Sequence, residues 1–155
     1  MYRIYETEHY NDYIINLWHD VFGDTEDEIR FFIENCVNKS CLCFECDGVL
    51  ASQLFLVDCK VGNEEYKYIY AACTAKAYRK RGFMTDLLEY TLRSYYNVTL
   101  IPANSHLVDH YNNAGFKFKM KLADIHFDEN EEICEYLFDG CSLEEPFALS
   151  NVNQD

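Results

Sequence analysis

The amino-acid sequence predicts one α+β domain with about seven strands and four helices. The chain has 155 residues, the commonest size for a single domain, and 49% of them are hydrophobic, enough for a buried core. Some segments repeat apolar side chains at the spacing of an amphipathic helix, and others alternate apolar and polar side chains as strands do. Two turn dipeptides, Asp47-Gly48 and Gly62-Asn63, join three strand-like runs into an antiparallel meander.

The first half of the chain predicts a strand, two helices and the meander, in that order. Asn11 is a typical N-cap for the first helix, and Gly23 ends it. Asp24-Thr25 starts the second helix, which has acidic residues in its first turn. The expected bounds are a strand at 2–6, helices at 11–22 and 25–36, and strands at 41–47, 50–61 and 66–74.

The second half begins with a basic loop at residues 75–82 and continues with two helices and three strands. The segment after Gly140 has no clear periodicity. We therefore expect a domain at 1–140 and an acidic C-terminal tail at 141–155, docked or frayed. The expected bounds are helices at 82–95 and 104–114, and strands at 97–101, 116–127 and 133–138.

The charge of the chain argues against two classes of partner. It has 27 acidic and 13 basic residues, a formal net charge of −14, and ten of the acids lie between residues 124 and 155. Such a protein repels nucleic acid and anionic membranes and attracts cations, protonated amines included. No run reaches the roughly 18 apolar residues of a membrane span, and the N-terminus does not resemble a signal peptide, so we expect a cytoplasmic location.

The eight cysteines are expected to be reduced thiols. Cys41, Cys43 and Cys46 form a C-x-C-x-x-C cluster, but strand alternation places Cys46 on the face opposite to the other two. His106 and His110 lie four residues apart on a predicted helix without a third ligand and are interpreted as a surface pair. We therefore expect no metal site.

The basic loop is the segment most typical of a ligand site. Residues 76–81 hold four positive charges in six positions, and Gly82 stands where the next helix begins. A helix N-terminus exposes unpaired N–H groups and about half a positive charge, so it binds anions readily. The pattern predicts a bound phosphate or pyrophosphate, and a solvated basic turn is the alternative that this feature alone leaves open.

Residues 72–84 resemble the cofactor-binding motif of the GNAT superfamily of N-acetyltransferases, Gln/Arg-x-x-Gly-x-Gly/Ala. Arg79 and Gly82 match its first and middle positions. Lys80 stands where many members have Gly, and Met84 occupies the final small position, where the backbone can still donate a hydrogen bond.

A second stretch, residues 104–116, resembles the Asn-x-x-Ala-x-x-x-Tyr-x-x-x-Gly-Phe motif of the same family. Asn104, Tyr111 and Gly115-Phe116 match this motif, and Leu107 replaces the usual Ala. The two motifs occur in the expected order and on the expected elements.

The resemblance extends over about residues 1–138, is strongest at 68–116, and implies an acetyl-CoA-dependent enzyme. It implies a mostly antiparallel sheet, splayed open between its fourth and fifth strands, with acetyl-CoA in the opening and its pyrophosphate on amides of the basic loop. The residues that it implies for cofactor binding are Ala72, Cys73, Thr74, Arg79, Lys80, Arg81, Gly82, Phe83, Met84, Thr85, Asn104 and Tyr111.

The chemistry implied by the resemblance is direct transfer of the acetyl group to an amine. A backbone N–H near Cys73 would stabilise the oxyanion, and Tyr111 would protonate the leaving thiolate, a packing role being the alternative for Tyr111. We interpret the Cys73 thiol as strand packing and Asn104 as a helix N-cap first. No motif fixes the general base, for which four carboxylates of the meander are candidates: Glu45, Asp58, Glu64 and Glu65.

The sequence therefore predicts an N-acetyltransferase that acts on a small or peptidyl primary amine, as a monomer or homodimer. One alternative is a non-catalytic acyl-CoA-binding or protein-interaction domain of the same fold, in which the C-terminal tail blocks the acceptor cleft. Another is a donor with an acyl group longer than acetyl, if the small side chains of Ala71, Ala72 and Cys73 leave room at the thioester.

Overall fold

An eight-stranded sheet and five α-helices make up the computed structural model, which describes residues 1–153. The strands are β1 (Tyr2–Thr7), β2 (Lys39–Cys46), β3 (Val49–Val61), β4 (Glu64–Thr74), β5 (Val98–Leu100), β6 (Phe118–Met120), β7 (Ile125–His126) and β8 (Ala148–Ser150). The helices are α1 (Asp12–Phe22), α2 (Glu26–Asn35), α3 (Phe83–Ser94), α4 (Ser105–Asn113) and α5 (Glu131–Phe138). None of the helices described is long and apolar enough to cross a membrane.

The strands are ordered β1-β2-β3-β4-β5-β8-β6, and β7 pairs with one end of β3. Every pairing is antiparallel except that of β4 with β5. This parallel pairing covers only Lys67–Ile69 of β4, so residues 70–74 continue without β5 beside them. The predicted mostly antiparallel α+β fold, with its opening between the fourth and fifth strands, is confirmed.

Two hydrophobic cores lie on the two faces of the sheet. One face packs against α1, α2 and α5, with Trp18, Phe32 and Ile133 among the buried side chains. The other face packs against α3, whose Leu87 and Leu88 are fully buried. Because both faces are covered, the central strands are apolar on both sides.

The first helix ends follow the signals in the sequence. The side chain of Asn11 accepts a hydrogen bond from the N–H of Ile14 at 3.2 Å. Gly23 ends α1 in the left-handed conformation with a φ of 78°. Thr25 and Glu28 form a reciprocal capping box at the start of α2. These local predictions are confirmed.

Two stretches near the C-terminus differ from the prediction. Residues 133–138, expected as a strand, lie in α5, whose N-cap Asn130 accepts from the N–H of Ile133 at 2.8 Å. Ile133 and Leu137 are the buried residues of this helix, and a spacing of four suits one helical face. Residues 116–127, expected as one strand, instead contain β6, a 3-10 turn and β7, because β6 pairs with β8 whereas β7 pairs with β3.

The segment expected as an acidic tail contributes a strand to the sheet. β8 lies between β5 and β6 and pairs antiparallel with both. Its residues Ala148 and Leu149 are 0% and 1% exposed. The segment is therefore docked at residues 148–150, while residues 154 and 155 of the expected tail lie outside the described residues.

Candidate functional site

A β-bulge in β4 lies beside the opening between β4 and β5. Tyr70 and Cys73 of β4 are three residues apart, but their partners in β3 are only two residues apart. Ala71 and Ala72 of β4 therefore lie opposite a single residue of β3. Ala71 has a φ of 52°, a left-handed conformation that costs a non-glycine residue roughly 1–2 kcal/mol. Nothing in the sequence signals this bulge, since alanine is not a residue typical of that conformation.

The bulge changes which backbone amides of β4 face the opening. The N–H of Lys67 donates at 2.9 Å to the carbonyl that precedes β5, so the odd-numbered amides before the bulge point toward β5. The N–H of Ala75 donates at 2.8 Å to a carbonyl that precedes Ser52 in β3, so the odd-numbered amides after the bulge point toward β3. Alternation therefore directs the Cys73 amide toward β3 and the Thr74 amide toward the opening, and it is interrupted at Ala71 and Ala72.

The N-terminus of α3 keeps its backbone amides free of side-chain caps. In α1, α2, α4 and α5 an Asn or Thr side chain accepts from the first turn, whereas no described side chain does so in α3. The N-cap residue is Gly82, with a φ of 81°, and its carbonyl accepts the first helical hydrogen bond, from Asp86 at 3.0 Å. The amides of residues 82–85 have no intrahelical partner and can bind an anion.

The basic side chains of the preceding loop are exposed but differ in their contacts. Nε of Arg79 donates to the carbonyl of Thr74 at 3.1 Å and so ties the loop to the end of β4. The Arg81 guanidinium lies 4.9 Å from the ring centre of Phe83. Lys80 has a φ of 64°, a left-handed conformation that favours glycine.

The first turn of α3 is anchored in the core by Phe83. Its side chain is buried against Phe44 of β2, so only its backbone amide is available to a ligand. Met84 is half-buried, whereas Thr85 is exposed and can present its hydroxyl.

The second motif forms α4 and its two ends. Asn104 is the N-cap, as predicted, and its side chain accepts from the N–H of Leu107 at 3.1 Å. Gly115 follows the helix with a φ of 112°, and a Cβ there would lie 3.0 Å from the Leu92 side chain. This close approach and the positive φ explain a glycine at that position.

Tyr111 of α4 lines a pocket of about 350 Å³, together with Ala71 and Ala72 of the bulge. No described residue makes a hydrogen bond to the Tyr111 hydroxyl. Burial raises the pKa of this hydroxyl above its usual value of 10.0. The hydroxyl is therefore protonated at neutral pH and free to bind a ligand.

The far side of this pocket is acidic and aromatic. Three carboxylates line it, Asp24, Glu28 and Asp139, and among the described residues no Lys, Arg or His does. Asp24 accepts through Oδ2 from Nε1 of Trp18 at 2.8 Å. Sequence reasoning missed these carboxylates because they come from segments far apart in the chain.

The four carboxylates considered as general bases lie outside the pocket. Glu45 accepts from a tyrosine hydroxyl of β1 at 2.9 Å. Asp58 forms an ion pair with Lys67, and Glu64 and Glu65 are exposed at the start of β4. The pocket offers other carboxylates instead.

Five of the eight cysteines pack in the two cores. Cys41 and Cys43 face one core, with Sγ atoms 3.8 Å apart, and Cys46 faces the other, as strand alternation predicted. Within residues 1–153, no group of three His, Cys, Asp or Glu side chains is arranged to hold a metal ion. Burial raises the pKa of the Cys73 thiol to about 12, which keeps it protonated and suits a packing role.

A family comparison agrees with this geometry. Residues 2–118, most of the chain, match the family model described as an acetyltransferase (GNAT) domain. The chain belongs to the GNAT family. The resemblance inferred from the two motifs is thereby confirmed. A comparison with curated proteins gives no match.

Several solved structures share the fold. An acyl-CoA N-acyltransferase from Pseudomonas aeruginosa is 16% identical with a TM-score of 0.59, covering 98% of this chain and 100% of its own. A GNAT family N-acetyltransferase from Escherichia coli, solved with CoA, is 16% identical with a TM-score of 0.60, covering 74% of this chain and 68% of its own. A probable N-acyltransferase from Enterococcus faecalis is 16% identical with a TM-score of 0.59. The match covers 72% of this chain and only 32% of the length of the Enterococcus protein.

Proposed function

We propose that this GNAT family member is an acetyl-CoA-dependent N-acyltransferase that moves an acetyl group directly to a primary amine. One observation carries the proposal. Tyr111 and the β4 bulge line a common pocket, and the uncapped N-terminus of α3 follows the end of the same strand. In this proposal, an anion site, an oxyanion donor and a proton donor border one opening of the sheet.

The residues around the opening suit acetyl-CoA, which supplies the acetyl group as a thioester. The amides of residues 82–85, which include Phe83 and Met84, would hold its pyrophosphate together with the Thr85 hydroxyl. Arg79, Lys80 and Arg81 would add charge-assisted contacts. The backbone of residues 72–74 would pair with the pantetheine arm, and Asn104 and Tyr111 would border the arm from α4.

In the transfer step, the amine must lose a proton before it attacks, and the departing thiolate must gain one. The amine nitrogen forms a bond to the thioester carbonyl carbon, the C–S bond breaks, and an ammonium substrate gives an amide, CoA thiol and one proton. The Tyr111 hydroxyl donates a proton to the leaving thiolate and regains one after release.

The oxyanion of the tetrahedral intermediate needs a preorganised donor. The Ala72 amide of the bulge, which does not pair with β3, is proposed for this role, because strand alternation turns the Cys73 amide named from the sequence toward β3. The proposed donor therefore lies one residue earlier than expected, at the bulge itself.

The non-catalytic alternative requires a blocked acceptor cleft. Residues 148–150 pair within the sheet, and the pocket beside Tyr111 has about 350 Å³, within the range of roughly 300–1,000 Å³ for small-molecule sites. Both observations favour an enzyme with a small acceptor.

Calorimetric titration of the reduced protein tests the cofactor directly. Acetyl-CoA should bind with micromolar affinity, about −8 kcal/mol, and a longer acyl-CoA run alongside reports on the donor. The double variant Arg79→Ala, Arg81→Ala should bind more weakly, whereas Arg93→Ala, at the other end of α3, should not. Absence of binding to CoA and to every acyl-CoA would contradict the proposed function.

A further inference from the structure

The pocket beside Tyr111 has an acidic wall, formed by Asp24, Glu28 and Asp139. Asp24 follows α1, Glu28 lies in the first turn of α2, and Asp139 follows α5. None of the three is in an ion pair with any described residue. The wall therefore carries three negative charges without a protein cation to balance them.

Aromatic rings line the same pocket as these carboxylates. Trp18 and Tyr70 meet edge to face with ring centres 5.8 Å apart, and both line the pocket. Tyr136 lines it from α5. Tyr70, Asp24 and Asp139 line the same pocket, and burial, then the charges of the two carboxylates, raise the pKa of Tyr70. Rings combined with carboxylates are the surroundings that organic ammonium groups favour.

The three carboxylates are held in place by other hydrogen bonds. Asp24 accepts from Nε1 of Trp18, and Glu28 accepts from the backbone and hydroxyl of Thr25. Asp139 accepts from the N–H of Gly140 at 2.9 Å. Asp24 is half-buried, Glu28 and Asp139 are exposed, and each carboxylate keeps further lone pairs for a ligand.

A second observation points to a ligand in the same space. The Tyr111 side chain is partly buried, its hydroxyl has no described hydrogen-bond partner, and it lines this pocket from α4, whereas the carboxylates come from segments at α1, α2 and α5. The pocket thus combines a proton donor from one helix with carboxylates from three other segments.

We infer that this pocket selects a small acceptor that carries at least two amino groups. The reacting amine lies near Tyr111 and Ala72, and a second ammonium group lies among Asp24, Glu28 and Asp139 against the rings of Trp18 and Tyr70. This inference rests on the proposed function for the reacting end. The binding of the second ammonium group can be tested without catalysis.

Fluorescence gives a binding test, because Trp18 is the only tryptophan in the chain. Titration with spermidine at low ionic strength should change the Trp18 emission saturably, and added salt should weaken the binding. Asp24→Asn preserves the acceptor for Trp18 Nε1 while removing the charge, and it should weaken binding about tenfold, as should Asp139→Asn. Asp20→Asn, an exposed change on α1, is the matched control and should bind as the unaltered protein does.

Kinetics then connect the subsite to the reaction. The value of kcat/KM should be at least about tenfold higher for 1,5-diaminopentane than for 1-aminopentane, a ratio that Asp24→Asn should reduce toward one. Equal rates with both amines, or spermidine affinity unchanged in both Asn variants, would overturn the inference and leave the proposed function standing. Binding of acetyl-CoA and spermidine without transfer to any amine would overturn the proposed function instead.

Discussion

The ring of Phe83 stacks on the ring of Phe44, with centroids 4.3 Å apart and planes inclined by 18°. Phe83 is the first residue of α3, and Phe44 lies in β2. The stack therefore fixes the helix end whose amides are proposed to bind the cofactor. Because an aromatic anchor at this position is fully packed, its removal should cost stability as well as affinity.

Replacing Phe83 by alanine should lower the free energy of unfolding by about 3–5 kcal/mol, the usual cost of deleting a buried Phe side chain. Urea denaturation followed by circular dichroism measures this change. Tyr96→Ala is the control, because Tyr96 is 87% exposed and its loss should alter stability by no more than about 0.5 kcal/mol. Equal effects of the two substitutions would contradict the packing argument.

Tyr111→Phe should reduce kcat by about 10²–10⁴-fold, because it removes the hydroxyl proposed to protonate the leaving thiolate. The dissociation constant of acetyl-CoA and the melting temperature should remain unchanged, since the hydroxyl makes no hydrogen bond to any described residue. Tyr13→Phe, at a side chain that is mostly exposed on α1, provides the control. A normal kcat in Tyr111→Phe would leave Tyr111 with the packing role only.

Lys80→Gly should raise the free energy of unfolding by about 0.5–1 kcal/mol. A left-handed backbone costs a non-glycine residue roughly 1–2 kcal/mol, and the extra freedom of glycine in the unfolded chain offsets part of this gain. Lys76→Gly, in the neighbouring 3-10 turn, should instead lower stability. Thermal or urea unfolding should show a higher free energy of unfolding for Lys80→Gly and a lower one for Lys76→Gly. A lower free energy of unfolding in both variants would contradict the assigned conformation of Lys80.

Glu28 should contribute to the pH dependence of stability. Hydrogen bonds from the backbone and then the hydroxyl of Thr25 lower the pKa of Glu28 below its usual value of 4.5. A carboxyl with a lowered pKa stabilises the fold fully above pH 4.5 and loses this contribution as the pH falls through the lowered value. Glu28→Gln should therefore show a smaller drop in melting temperature between about pH 7 and pH 3 than the unaltered protein. Asp27→Asn should retain the full drop.

Leu149→Ala should lower the free energy of unfolding by about 2–5 kcal/mol, because this side chain of β8 is buried among residues of the α3 core. Glu145→Ala, in the exposed segment just before, should change stability little. Removal of residues 141–155 should prevent cooperative folding, as measured by urea denaturation. An active, stable truncated chain would show that β8 is dispensable.

The sequence predicted those features of the fold that depend on contacts between residues close together in the chain, such as helix caps and the basic loop. Asn11 and Asn104 cap helices because their side chains reach amides three residues away, which adjacent sequence specifies completely. The loop before Phe83 was recognisable for the same reason, since its charges and Gly82 are consecutive. The helix at 131–138 was missed because its eight residues bury only Ile133 and Leu137, too few to separate the two periodicities.

Features that depend on distant strands could not be predicted. The bulge at Ala71 exists only in the register of β4 against β3, and alanine gives no hint of a positive φ. The acidic wall brings Asp24 and Asp139 together from opposite ends of the chain. Its members therefore had no shared sequence pattern by which to be recognised.

The position of β8 has a consequence for synthesis on the ribosome. β5 is made about 50 residues before its partner, since Leu100 pairs with Leu149, and β6 pairs with β8 alone. Until residue 150 has emerged, the nascent chain must therefore leave one edge of β5 unpaired and the β6 segment without a partner strand. Such edges invite mispairing with other chains, so completion of the sheet depends on a late insertion that chaperones can protect.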